Sequence, residues 1–233
     1  MGPNNKKAVV LLSGGLDSAT TLALALKDGF HVLPLTIVYG QKHAWEIKSA
    51  KKLIQFHGLK NHRITNLDLS AFGGSALTDE FDVPKNRSAR DINDGIPITY
   101  VPARNTVFLS IALAYAEAKD ACHIFLGVNC LDYSGYPDCR PEFIKAFESV
   151  ANLGTKMGVE GTQINIHTPL INMKKYEIIE AGTDLNVDYS LTHSCYDPGD
   201  DGISCGACDA CSLRLQGFQE AGLKDPLYYQ NEL

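Results

Sequence analysis

The chain has no lysine between Lys7 and Lys27, a gap that removes the commonest phosphate-binding explanation for its glycine-rich N-terminal stretch. A Walker-type loop ends in Gly-Lys-Ser/Thr and needs that lysine on the phosphates. No run approaches the ~18 consecutive apolar residues of a membrane span, and no basic-then-apolar leader precedes the first apolar run, so a cytoplasmic protein with no membrane partner is expected. Positive charge is in deficit: 21 Lys and Arg against 27 Asp and Glu give a net charge of −6. That balance argues against a broad electrostatic footprint for nucleic acid and favours small-molecule chemistry. Disulfides are a poor account of the seven cysteines, because the count is odd and four crowd toward the C-terminus; metal binding is the better reading.

What is present is organised around Val9-Val10-Leu11-Leu12 followed at once by Ser13-Gly14-Gly15-Leu16-Asp17-Ser18. The apolar run reads as a buried first strand, and the Ala- and Leu-rich segment from Ser18 to Lys27 as the helix after it. The glycines between them permit a tight turn and a close ligand approach. Ser13, Ser18, Thr20 and Thr21 add hydroxyls beside a helix N-terminus whose first amides have no internal partner, which makes an anion site. The Ser-Gly-Gly-x-Asp-Ser pattern resembles the pyrophosphate loop of the N-type ATP pyrophosphatases. Asp17 then either helps hold Mg²⁺ and pyrophosphate or only favours the first helical turn through the dipole.

At 233 residues and 45% hydrophobic composition the chain suits one α/β unit with a small appendage. Strands are expected over Phe30–Tyr39, Arg63–Leu69, His123–Asn129 and Gln163–His167. Helices are expected over Gln41–His57, Thr106–Lys119, Glu142–Asn152 and Met173–Ala181. The helix from Gln41 carries a charged face that includes Lys42, Glu46 and Lys48, and an apolar face that includes Trp45, Leu53 and Ile54. Such alternation implies parallel strands with right-handed crossovers. From Ser70 to Pro102 periodicity fails. The stretch reads as a lid or mobile insert over the site, its Lys85, Arg87 and Arg90 placed to meet a triphosphate. Arg104 and Asn105 fall where this loop enters a helix, facing a phosphate or merely capped and solvated. Lys175 stands just inside a later helix and is open to the same two readings.

Two polar clusters add chemistry. After the strand at His123 comes a loop with Tyr133, Tyr136, Asp138, Arg140 and Glu142, placed at a carboxyl end where open α/β sheets bind ligands. The tyrosines suit a flat heterocycle, Arg140 a carboxylate, and Asp138 or Glu142 a guanine-like N–H edge. Cys195, Cys205, Cys208 and Cys211 are separated by nine, two and two residues, a spacing that closes a tetrahedral thiolate site for structural Zn²⁺. An iron–sulfur cluster uses the same ligands.

Taken together, SGGLDS (13–18), YGQKH (39–43), VPARN (101–105), SGYPDCRPEF (134–143), TPL (168–170) and CGACDAC (205–211) closely resemble the 7-cyano-7-deazaguanine synthase family across nearly the whole chain. His193 stands where that family often carries tryptophan or threonine. The resemblance implies a Rossmann-like (adenine nucleotide alpha hydrolase-like) parallel sheet over residues 1–185 and a four-cysteine zinc segment over 186–233. It implies ATP, with Mg²⁺, held by Leu12, Ser13, Gly14, Gly15, Leu16, Asp17, Ser18, Ala19, Thr20, Thr21 and Leu22. Catalytic roles fall to Asp17, Arg104 and Lys175, and substrate contacts to Tyr133, Tyr136, Asp138, Arg140 and Glu142. The implied reaction joins 7-carboxy-7-deazaguanine and ammonia at the expense of ATP in a cytoplasmic homodimer. A sulfur-inserting tRNA-modifying enzyme and a silent adenine-nucleotide sensor are the competing readings; the first wants a reactive persulfide cysteine or an iron–sulfur cluster, plus an RNA-binding domain, the second no turnover.

Overall fold

The computed structural model describes residues 6–88, 91, 95–131 and 135–230. Five strands form one wholly parallel sheet: β1 (Lys7–Leu11), β2 (His31–Val38), β3 (Arg63–Asn66), β4 (His123–Phe125) and β5 (Asn165–His167), in the order β3-β2-β1-β4-β5. Alternate residues of β1 serve opposite faces, as the pleat requires. Ala8, Val10 and Leu12 pack with Leu22, Leu53 and Ile178, whereas Val9 and Leu11 pack with Leu109, Ala112 and Ile144. The helices are α1 (Leu16–Lys27), α2 (Trp45–Phe56), α3 (Arg104–Ala118), α4 (Pro141–Gly154), α5 (Lys156–Val159), α6 (Lys175–Asp184) and α7 (Asp209–Glu220). The chain leaves β1 in one direction through β2 and β3, then returns to the other side through β4. The carboxyl ends of β1 and β4 therefore form the switch point at which such sheets bind ligands.

Pro34 sits inside β2 without breaking it. His31 N–H donates to the Lys6 carbonyl on the β1 side, so the amides of even-numbered residues face β3. Pairing with β3 begins only at Leu35, one residue beyond the proline, so the missing donor falls where the sheet has no neighbour.

Two expectations are corrected. The strand at His123 stops at Phe125 rather than Asn129: its pairing with β1 ends at Val10, and β5 itself ends opposite Phe125 at His167. The 70–102 stretch is not a structureless lid over its described part. Ser70–Phe72 forms a 3-10 turn, and Ala76, Leu77, Val83 and Val101 are buried in the main core. Its Lys85 pairs with Asp197 at 2.7 Å and its Arg87 with Asp209 at 3.0 Å, so neither points at a phosphate site; Arg90 lies outside the described residues.

Candidate active site

The turn after β1 is built by its own hydroxyls. Ser18 Oγ accepts from the Gly14 amide (3.1 Å) and donates to the Gly15 carbonyl (3.0 Å), while Ser13 Oγ accepts from the Gly15 amide (3.2 Å). Gly14 adopts φ +100°, and a Cβ there would lie 2.1 Å from the Glu46 carbonyl oxygen. Only glycine lets the first turn of α2 press so closely on the loop. The segment before Cys195 holds the loop from the other side: His193 N–H donates to the Gly14 carbonyl (2.9 Å), and Ser194 Oγ accepts from the Leu16 amide (3.4 Å).

Beyond the loop lies a cavity of about 210 Å³, walled by the carboxyl ends of β1 and β2, the residues following β4, and the first turns of α1, α2 and α3. Lys175, first residue of α6, reaches Asp17 with Nζ 2.7 Å from Oδ1, and both line the cavity. Gly217 on α7 makes room for the lysine stem, since a Cβ there would meet Lys175 Cγ at 2.4 Å. On the opposite wall Arg104 follows Ala103, a residue in left-handed conformation, and lies 5.7 Å from the Tyr39 ring and 6.0 Å from that of Phe108. Burial raises the Tyr39 hydroxyl to about 12, against the lowering influence of Arg104, so it stays a neutral phenol. Burial also raises the Glu46 carboxyl, to about 7, again opposed by Arg104.

Of the residues singled out by sequence, Leu12, Ser13, Gly15, Leu16, Asp17, Ser18, Arg104, Tyr136 and Lys175 line this cavity. Ala19, Thr20, Thr21 and Leu22 are buried along α1 behind the loop; Thr20 and Thr21 donate to the Leu16 and Asp17 carbonyls, and a Cβ on Gly127 would strike Thr21 Oγ1 at 2.8 Å. Asp138 is buried and accepts from the Asn105 amide through Oδ2 (3.0 Å), so it braces the start of α3. Asn105 Nδ2 in turn donates to the Asp138 carbonyl (3.2 Å) and reaches Cys139 Sγ (3.3 Å). Burial pushes the Cys139 thiol up to about 12, the reverse of nucleophilic activation. Arg140 and Glu142 are exposed at the start of α4 and do not line the cavity; Tyr133 falls outside the described residues. Sequence reasoning gave no site role to Glu46, Phe108, Ser194, Tyr196 or Arg214, all in the cavity wall. The SCY (194–196) and LR (213–214) motifs of the resemblance hold three of them, with nothing in their spacing that points back to the loop.

The four C-terminal thiols converge as their spacing predicts: all four sulfurs lie within 4.8 Å of one another, and the Cys195–Cys208 and Cys205–Cys211 pairs are each 4.0 Å apart. A tetrahedron with Zn–S near 2.3 Å has edges of about 3.8 Å. Backbone amides of Cys205 (3.2 Å) and Tyr196 (3.5 Å) point at Cys195 Sγ and Cys208 Sγ, as suits thiolate acceptors. The buried group can hold a metal such as zinc. It also anchors one cavity wall, through Ser194, Tyr196 and Ala210.

A parallel Rossmann-like sheet with a Ser-Gly-Gly-x-Asp-Ser loop at its switch point defines an α/β protein of the PP-loop class. Solved structures agree on the fold: an NMN synthetase from Francisella tularensis (TM-score 0.50, 19% identity, covering 95% of this chain and 79% of that one) and a 4-thiouridine synthetase in complex with RNA and bound ATP (TM-score 0.53, 21% identity, 93% and 50%). Within that class, the family model "Queuosine biosynthesis protein QueC" matches residues 7–222, and the chain belongs to this family of enzymes. Relatives named 7-cyano-7-deazaguanine synthase are 59% identical over 225 residues in Desulfatibacillum aliphaticivorans (96% of this chain, 97% of the relative) and 59% over 224 residues in Paramagnetospirillum magneticum (96% and 99%).

Proposed function

We propose that the chain converts 7-carboxy-7-deazaguanine and ammonia to 7-cyano-7-deazaguanine, with ATP activating first the acid and then the amide. The observation that carries this reading is the cavity itself, where the glycine loop, the Asp17–Lys175 pair and Arg104 surround one space at the switch point. In this reading the substrate carboxylate attacks the α-phosphorus of ATP, and the amides and hydroxyls of the 13–18 turn receive the departing pyrophosphate. These dipoles are fixed before reaction and need no reorganisation as charge develops. Lys175, held by Asp17, supplies a cation beside the α-phosphate, and Arg104 supplies one from the facing wall. Tyr136 offers an aromatic surface to the heterocycle. Asp138 acts indirectly, by setting the start of α3, and Arg140 and Glu142 would have to turn inward to touch substrate.

Mg²⁺ enters with ATP. Zn²⁺ on Cys195, Cys205, Cys208 and Cys211 is structural, because four thiolates leave no position for water. Homodimeric assembly and a cytoplasmic location follow from the family reading. The test is AMP release by purified protein with Mg-ATP, ammonium and 7-carboxy-7-deazaguanine, with product mass read in the same tube. Nitrile with two AMP per turnover supports the proposal; AMP without nitrile moves the substrate elsewhere; no AMP overturns it.

A further inference from the structure

Glu46 is the cavity's second carboxyl, and the fold leaves it uncommitted. Asp17 is held by Lys175 at 2.7 Å, and Asp17 and Glu46 are the two acidic side chains among the described residues of the cavity wall. Glu46 has no hydrogen-bond partner among the described residues. Its backbone is seated against the glycine loop, because its carbonyl oxygen occupies the space a Cβ on Gly14 would need. The groups that interact with it electrostatically are Tyr39 from the end of β2 and Arg104 from α3; Tyr136 and the Asp17–Lys175 pair of α1 and α6 line the same cavity.

We propose that Glu46 is the group that receives ammonium in this cavity and takes its proton, so that ammonia attacks the activated carboxyl. The inference rests on the function proposed above. Ammonium is the predominant form at neutral pH and has no lone pair with which to attack. In the step, one proton passes from ammonium to a carboxylate oxygen of Glu46, and the freed lone pair forms the C–N bond at the adenylated carbonyl carbon. The C–O bond to AMP breaks with its electron pair on the phosphate oxygen. The nitrogen then releases a second proton to solvent, and Glu46 passes the first to solvent, which resets the carboxylate. The Glu46 carboxylate attracts ammonium, and Arg104, the cation that acts on it, favours loss of the proton and the neutral amine that results. A carboxyl titrating near neutrality is also matched to accept and return a proton at working pH.

The experiment compares wild type with Glu46→Gln and Glu46→Asp, using two nucleophiles. Acid-dependent ATP–pyrophosphate exchange, which needs no ammonium, reports adenylation. For Glu46→Gln we expect exchange within about threefold of wild type and ammonium-dependent amide and nitrile formation lowered about 100-fold or more, the scale of a lost general base. Hydroxylamine, already unprotonated at neutral pH, is expected to give hydroxamate at near wild-type rate. Glu46→Asp keeps the base and is expected to recover part of the ammonium reaction with a raised KM for ammonium. Unchanged ammonium use in Glu46→Gln, loss of exchange, or parallel loss of hydroxamate and amide would each overturn the role. Absence of exchange in wild type would instead overturn the reading of the site, and Glu46's role with it.

Discussion

Lys175 Nζ stands 2.7 Å from Asp17 Oδ1, joining α6 to the first turn of α1 at the edge of the glycine loop, with only 10% of the lysine side chain and 23% of the aspartate side chain exposed. The pair places a cation next to an anion site while holding the lysine in one rotamer. Replacing Lys175 by Met leaves the Asp17 carboxylate facing the triphosphate. We expect the KM for ATP to rise at least about tenfold and kcat/KM to fall about 10²–10³-fold, the range for one lost electrostatic donor. Asp17→Ala is expected to abolish turnover. Steady-state AMP release checks both, and a Lys175→Met enzyme with an unchanged KM for ATP removes the lysine from the nucleotide site.

Gly14 is the position where sequence and packing leave least choice. A Cβ would lie 2.1 Å from the Glu46 carbonyl oxygen and 2.7 Å from the Ala50 amide nitrogen, both backbone atoms of α2, at a φ of +100°. Gly14→Ala is expected to cost about 2–4 kcal/mol, from left-handed strain together with overpacking. Gly58→Ala is the control, since Gly58 also has positive φ (+62°) but a Cβ there would meet no atom within 4 Å. Only the conformational cost remains, about 1 kcal/mol. Urea denaturation of both variants checks the difference; equal losses would mean that α2 can retreat from the loop.

The contrast between these glycines shows what the sequence can carry. The apolar runs of β1 and β2 and the close spacing of the last three cysteines are local patterns, and they are legible. Strand length at β4 is not, because Leu126 and Val128 continue the apolar run, and the end of pairing with β5 at His167 is not visible in that run. Glu46 escapes notice for a related reason. It lies on the charged face of an amphipathic helix, which reads as solvated, until Gly14 brings that helix's first turn against the ligand loop. The 70–102 stretch hides its packing because Ala76-Leu77 and Val83 are apolar residues too scattered to show a period. Arg140 has the chemistry of a carboxylate binder, but Pro141 starts α4 directly after it and the side chain emerges at the surface.

That same stretch is fastened to the cysteine cluster. Lys85 forms a backbone bridge with Cys208, the Asn86 amide donates to the Ala207 carbonyl at 2.8 Å, and Lys85 and Arg87 pair with Asp197 and Asp209. Metal that orders residues 195–211 therefore orders residues 85–87 as well. Removing it with a chelator is expected to speed tryptic cleavage after Lys85 and Arg87, read by mass spectrometry alongside zinc content. Cys208→Ala is expected to do the same and to lower solubility. A cleavage pattern indifferent to metal would show that the segment is held by its core contacts alone.

Glu46 also has a stability signature, independent of any reaction. Its carboxyl is raised from 4.5 to about 7 in the folded state by burial. Folding therefore favours the protonated acid: the contribution is fully present below about pH 4.5 and is lost as pH rises through 7. At pH 8 the ionised group opposes folding by on the order of 3 kcal/mol. Glu46→Gln, which cannot ionise, is expected to be more stable than wild type at pH 8 by about 1–3 kcal/mol, with the gap closing toward pH 4.5. Thermal or urea unfolding across that range checks it, and a pH-independent gap would mean that the carboxyl is not desolvated.

Arg214 and Asp225 form the most deeply buried ion pair among the described residues, each side chain 3% exposed, with Nε 2.7 Å from Oδ2 and Nη2 2.9 Å from Oδ1. Arg214 also donates to Thr192 Oγ1 (2.7 Å) and the Tyr189 carbonyl (3.1 Å), and Tyr229 donates to Asp225 (2.6 Å). The network pins the chain on both sides of the cysteine cluster, and Arg214 reaches the cavity wall. Desolvating two charges costs nearly what their attraction returns, so such a pair is worth most as a lock on geometry, whereas breaking it strands a buried charge. Asp225→Asn is expected to destabilise by about 3–5 kcal/mol, and Arg214→Met by a similar amount. The double variant Arg214→Met with Asp225→Leu is expected to recover much of that loss, because no buried charge remains unpaired. A double-mutant cycle in urea measures the coupling, and additive losses would show that the two side chains contribute through packing alone.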